Sequence, residues 1–247
     1  GRFNMQSFLA VLKRELKGYF ATPVAYVFLV IFLFFAGYLP FRDGFFEIRQ
    51  ADLRLFFTNL PLLFVFMVPS TAMRLWAEER KTGSIELLLT LPITVPQAVL
   101  GKFMAAWIFL GIALLLTLPL PAVVVYLGDP DMGQIITGYL GALLMAGAFL
   151  AIGSFFSALT KNQVISFILS VVACAILVFA GNPTTLDYLS SNVSSAVVGI
   201  VETMSFQTHL DSMMRGVVEL KDAAYFIILI AAWVYACTLI LEERKAR

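Results

Sequence analysis

Charged side chains make up only 13% of this 247-residue chain, and residues that carry chemistry are fewer still: one histidine, His209, and two cysteines, Cys174 and Cys237. A soluble domain carries about 25% charge, so a soluble enzyme core and a disordered chain are both excluded. One histidine does not make a zinc site, and no metal is expected. Cys174 and Cys237 lie in apolar runs, form no disulfide framework, and read as small apolar helix residues. An excess of positive charge is missing too, with Lys+Arg 17 against Asp+Glu 16. Nothing is left over to neutralise a phosphate backbone, so no nucleic-acid partner is expected. An intramembrane enzyme would need clustered acids and histidines, or a nucleophile beside a base. Neither occurs, and no catalytic residue is assigned.

What the chain has instead is apolar length. Hydrophobic residues reach 60%. Six stretches contain no Asp, Glu, Lys or Arg: 18–41, 55–73, 103–128, 132–160, 162–186 and 223–241. Each has about the 20 residues needed to cross the hydrocarbon core as a helix. They are continuous, unlike the short alternating strands of a membrane barrel. The fold class is therefore an all-α membrane protein, one transmembrane domain over 1–247. Its spans are expected at 21–41, 55–75, 98–127, 133–159, 163–181 and 223–241. The apolar run from Val24 follows a long charged segment and no small-residue cleavage pattern closes it, so a cleaved signal peptide is not expected. Residues 1–4, ahead of Met5, are expected to be foreign to the protein.

Six spans place both termini on one side. Of the 17 basic residues, Arg42, Arg49, Arg54, Arg215 and Lys221 fall on the far side and the other twelve on the side of the termini. That bias makes the termini cytoplasmic, in a multi-pass protein of a cell inner membrane. Ion-coupled carriers and channels keep a functional ionisable group inside the bilayer. The six runs have none, which weighs against that class.

Outside the spans, 5–20 places Phe8, Leu12, Leu16 and Tyr19 at helical spacing, with Lys13, Arg14 and Lys17 elsewhere on the wheel. This is a basic amphipathic helix suited to the membrane surface, an interfacial anchor that also has the character of a support for a cytoplasmic partner. The segment 78–97 is the most informative. Glu78, Glu79, Arg80 and Lys81 bring the chain out of the membrane. Gly83 is expected as an N-cap, with Glu86 reaching back in capping-box fashion. Ile85, Leu88 and Leu89 form an apolar patch on the short helix that follows, Pro92 stops it, Pro96 restarts a helix, and Lys102 marks the membrane entrance. Exposed leucines there need cover from the bundle, lipid or a protein partner.

This stretch resembles the signature of ABC-2 type transporter permeases, E-E-R-x-x-G-[ST]-x-E-x-L-L-x-x-P followed by G-K before the third span. The matching residues are Glu78, Glu79, Arg80, Gly83, Ser84, Glu86, Leu88, Leu89, Pro92, Gly101 and Lys102. The order of interfacial helix, six spans and a long connection before the last is also similar. Ser205, Phe206, His209, Leu210 and 214–222 further resemble the gliding-motility and copper-enzyme-maturation subgroup. The resemblance implies that the helix after Gly83 is a coupling helix docked on a separate ABC ATPase, and that two permeases pair, as a homodimer, around a pathway. ATP and Mg would be held by that partner, and this chain would bind no cofactor. The sequence agrees, because no G-x-x-x-x-G-K-[ST] loop occurs: at Gly101-Lys102, Pro96 stands where the first Gly belongs and Phe103 where Ser or Thr belongs. The apolar pathway with a few Ser, Thr and Tyr leans toward lipid-like or amphipathic cargo. The subgroup implies a second reading, an ATP-driven mechanotransmitter acting on an extracytoplasmic accessory protein.

Asp129, Pro130 and Asp131 make a turn between the third and fourth spans. The connection 182–222 is too long for a hairpin and too polar to cross. Asn182-Pro183 is expected to break the fifth helix, and two short helices, 193–204 and 209–218, to lie on the outer leaflet as a lid, a docking surface or a structural cover. His209, Arg215 and Gly216 fall on these outer-face helices, with His209 expected at the surface. Gly138, Ala142 and Ala146, and again Gly147 and Ala151, recur every four residues. Such spacing lets helices approach closely, within the bundle in preference to a dimer seam.

Overall fold

The computed structural model describes residues 5–45, 52–85, 93–217 and 219–245, apart from the side chains of Asn192, Arg244 and Lys245. Among them are twelve main helices and no strand. In chain order these are α1 (Met5–Ala21), α2 (Pro23–Arg42), α3 (Arg54–Ala72), α4 (Arg74–Thr82), α5 (Val95–Leu115), α6 (Pro119–Leu127), α7 (Met132–Leu159), α8 (Gln163–Phe179), α9 (Pro183–Asn192), α10 (Ser195–Met204), α11 (Phe206–Met214) and α12 (Leu220–Lys245).

Five helical stretches are long and apolar enough to cross a membrane: α2, α3 with α4, α5 with α6, α7 and α12. A sixth is reached if α8 and α9, bent by 74° at their junction, count as one. The all-α membrane class holds. Its polarity is inverted relative to a soluble bundle. On α8 the buried face is Ser166, Ser170, Cys174 and Val178, while Val164, Ile168, Val172 and Ile176 are exposed. On α2, Val30, Phe34 and Tyr38 likewise face outward. Apolar surface this extensive is stable only against lipid, where small and polar side chains serve best between helices.

At the centre stands α7, which touches α3, α4, α5, α8, α11 and α12. Its small residues explain this. A Cβ on Gly153 would lie 2.4 Å from the Cβ of Ala72 on α3, and one on Gly138 would lie 2.6 Å from the Phe57 ring. A Cβ on Gly147 would lie 2.8 Å from Trp107 of α5. Ala142, Ala146 and Ala151 are fully buried beside them. The small-residue stripe thus serves packing within one chain.

Two long segments are broken. Between α3 and α4 the break falls at Met73; between α5 and α6 it falls at 116–118, where the Thr117 hydroxyl donates to the Leu114 carbonyl at 2.6 Å and meets the Tyr139 hydroxyl at 2.8 Å. Asn182 ends one helix and caps another, its Oδ1 accepting from Thr184 N–H at 3.0 Å. The helix it opens, α9, is absent from the sequence expectation, because its polar composition, rich in Ser and Thr with Asp187 as its one charge, carries neither an apolar stripe nor a charge pattern. The last outer helix starts and ends earlier than 209–218, since Ser205 caps it by accepting from Gln207 N–H at 3.1 Å and Gly216 closes its exit at φ +86°. Phe206, Leu210, Met213 and Met214 form its buried face, toward α7.

Candidate functional site

One end of the bundle gathers α1, α4, the start of α5 and the end of α7. The construction begins with α1, whose inward face carries Phe8, Val11, Leu12, Glu15, Leu16 and Tyr19, with Val11 fully buried. Lys13, Arg14 and Lys17 are exposed, as expected of an amphipathic helix. It packs across α5 rather than standing apart. Gly101 makes this possible, because a Cβ there would lie 2.8 Å from Val11 Cγ1. On α5, Thr94 and Gln97 form a capping box and Pro96 fills the first turn, so the helix restarts where the proline requires.

One turn on, Lys102 is only 2% exposed. Its Nζ lies 2.8 Å from Glu79 Oε1 and 3.2 Å from Glu15 Oε1, and 5.3 Å from the centre of the buried Trp76 ring. Arg14 adds a second cation, 2.7 Å from Glu15 Oε1 and 3.8 Å from Glu79 Oε1. Two cations and two acids from α1, α4 and α5 thus share one balanced cluster. Burial pushes the Glu15 carboxyl upward, but Lys102 and Arg14 together outweigh it and hold the group below its ordinary value. Lys102 is therefore an internal clamp. Its long stem lies in the core because two acids wait at its tip.

Behind the cluster, α4 is tied to the end of α7. The Trp76 and Ala77 N–H groups each donate to Ser157 Oγ at 3.0 Å, and the Ser157 hydroxyl donates to the Met73 carbonyl at 3.0 Å. One buried hydroxyl therefore satisfies backbone groups freed by the α3–α4 break. Arg80 Nη1 donates to the Ala158 carbonyl at 2.7 Å.

These contacts sort the motif residues. Glu79 and Arg80 are turned inward and engaged within the chain, while Glu78, Lys81 and Thr82 are exposed. Gly83 closes α4 with φ +74° and ψ 0°. It does not act as the expected N-cap, because that position needs extended backbone, and a left-handed turn is a helix exit that glycine makes cheaply. The hydroxyls of Thr82 and Ser84 meet at 2.9 Å across it. Glu86, Leu88, Leu89 and Pro92 lie outside the described residues.

His209, Arg215 and Gly216 sit at the opposite end. The sequence expectation of a surface His209 does not hold: its side chain is 13% exposed, and Nδ1 lies 2.7 Å from Oδ1 of Asp222, a residue 1% exposed. Nε2 lies 3.0 Å from the Thr203 carbonyl, and the ring stacks on Tyr225 with centroids 4.0 Å apart. A carbonyl only accepts, so the contact with Thr203 is made by Nε2–H as donor. Arg215 is exposed; burial raises the pKa of nearby Asp211, partly offset by Arg215.

Sequence reasoning missed Glu15, Trp76, Ser157 and Asp222. An acid on the inward face of a basic amphipathic helix was the available signal for Glu15. Among the described residues no group of His, Cys, Asp and Glu is arranged to hold a metal. The family profile described as ABC-2 family transporter protein matches residues 9–197, from the first turns of α1 into α10. No curated protein matches the sequence significantly.

Proposed function

The chain belongs to the ABC-2 family of transporter proteins, and we propose that it is a permease subunit working as one of a pair, a homodimer, each copy driven by a separate ABC ATPase docked on the segment 83–92. ATP and Mg are held by that ATPase and none by this chain. The termini and the α1–α4 end face the cytoplasm of an inner membrane, in keeping with the bias of basic residues. Closure of the ATPase pair displaces the segment after Gly83. The observation that carries the reading is the internal wiring of α4. Because Glu79, Arg80 and the backbone at 73–77 are bonded to α1, α5 and α7, a displacement of α4 moves those helices with it, and through the central α7 the rest of the bundle. Glu79 and Arg80 transmit the motion inside the chain; Glu78, Ser84 and Glu86, with Leu88 and Leu89, form the face offered to the ATPase. The cargo is lipid-like or amphipathic, in keeping with the apolar spans. The subgroup rests on residues 205–222, beyond the matched range.

The test is affinity purification in mild detergent from the native host, with mass spectrometry and ATP hydrolysis on the eluate. An ATPase at one copy per permease is expected, with transport-coupled hydrolysis abolished by Glu86→Ala combined with Leu88→Asp. An eluate without ATPase, or a double variant that couples normally, overturns the docking assignment.

A further inference from the structure

Along the seam between α2 and α3 the lipid-facing surface opens into a groove of about 410 Å³. It runs from Phe28 and Ser70 at one end to Leu39 and Leu62 at the other. Phe32 is buried on its floor and stacks on Phe64 of α3, with centroids 6.0 Å apart. Leu62 and Phe66 stand exposed on its rim. Apart from Ser70 every lining residue is apolar, and the Ser70 hydroxyl is spent on the Phe66 carbonyl at 2.6 Å. A headgroup, a sugar or a peptide end finds no hydrogen bond there, and burying one unpaired is costly.

Both walls belong to helices long and apolar enough to cross a membrane. The groove therefore lies inside the bilayer, continuous with the lipid-facing surface made by Val30 and Phe34. From Phe28 to Leu39 it covers about 16 Å of helix, centred near the middle of α2 (Pro23–Arg42). The whole of α2 is about 30 Å long, the thickness of the hydrocarbon core, so the groove straddles the bilayer midplane. Spread over its length, the volume gives a cross-section of about 25 Å². A helix is about 10–12 Å across and does not enter. A single file of carbons, in contact at about 3.5–4.0 Å, does. We propose that the groove binds one acyl chain of a bilayer phospholipid, drawn across the midplane. Left unfilled, its walls forfeit their dispersion contacts. A chain anchored at either end of α2 must run about 20–25 Å to fill the groove, beyond the about 15 Å that one leaflet offers. The site therefore selects by chain length and not by headgroup. Either orientation of the protein in the membrane gives the same selection, with or without an ATPase.

The test uses the full chain in nanodiscs holding dimyristoyl and dierucoyl phosphatidylcholine in equal amounts, one headgroup with a short and a long chain. Lipid that stays bound through mild-detergent extraction is identified by native mass spectrometry. Retention of the erucoyl lipid over the myristoyl lipid by about fivefold is expected, the scale of about ten added carbon–carbon contacts. Ser70→Phe plugs one end of the groove and Leu62→Trp covers the other, and each is expected to abolish the preference. Leu62 is exposed, so Leu62→Trp gives the answer even if Ser70→Phe fails to fold. Ser70→Ala is expected to keep the preference, because the hydroxyl takes no part. Val30→Phe, on the lipid face outside the groove, is expected to keep it too. Equal retention of the two lipids by the native chain, or a preference that survives in Leu62→Trp, overturns the proposal. A preference lost in Val30→Phe as fully as in Leu62→Trp assigns it to the lipid surface at large and overturns the groove.

Discussion

The two ends of the bundle each bury an ionisable pair, and they do it differently. At the α4 end, Lys102 is shared by Glu15 and Glu79 with Arg14 beside them, and three helices meet in the cluster. At the other end, His209 and Asp222 form one isolated contact between α11 and the start of α12, closed by Thr203 and Tyr225. The first is a network whose loss unties several elements at once. The second is a local latch. A joint that passes motion between helices needs the former; a cover that holds a long connection against the bundle needs only the latter.

Breaking the network is expected to have the largest effect. Lys102→Met removes a buried cation and leaves Glu15 and Glu79 with only the exposed Arg14. Removing one partner of a buried pair costs about 3–5 kcal/mol, so a large fall in unfolding midpoint is expected in detergent, read by circular dichroism on heating. Next comes the latch. His209→Phe keeps the ring stack on Tyr225 but leaves Asp222 without a partner, at a cost of about 1–3 kcal/mol. Adding Asp222→Leu is expected to recover most of that loss, and a double-mutant cycle measures the coupling. Ser157→Ala is expected to cost a similar or smaller amount, about 1–2 kcal/mol, by stranding the Trp76 and Ala77 N–H groups. Fast hydrogen exchange confined to 73–77 is the signature to look for.

The smallest effect is that of pH. Because the Glu15 carboxyl is held below its ordinary value of 4.5, its contribution is fully present above about that pH and is lost as pH falls through the lower folded value. A midpoint that is flat from neutral pH down to about 5 and then declines more steeply in the native chain than in Glu15→Gln is expected from this group.

Much of the architecture was legible because apolar length is a local signal. A run of about 20 residues without charge reads as a span whatever surrounds it, and the stripe Gly138, Ala142, Ala146 reads as close packing. The clamp was not legible because its members are distant in the chain. Nothing near Lys102 in sequence says that Glu15 and Glu79 wait for it. Gly83 illustrates a different gap. Glycine serves at either end of a helix, and only the sign of φ decides, which composition does not reveal. His209 has no Cys or second His near it in sequence, which speaks against a metal but says nothing of an aspartate 13 residues on that closes onto it. The helix α9 escaped because its capping Asn182-Pro183 reads equally as a stop and as a start.

The central claim is that the α4 network transmits the ATPase motion and the distant latch does not. Its most direct test is ATP hydrolysis by the permease–ATPase complex with Lys102→Met set beside His209→Phe. The account predicts that Lys102→Met still carries the ATPase through purification but loses transport-coupled hydrolysis, while His209→Phe remains coupled. Normal coupling in Lys102→Met, or equal loss in both variants, would contradict it.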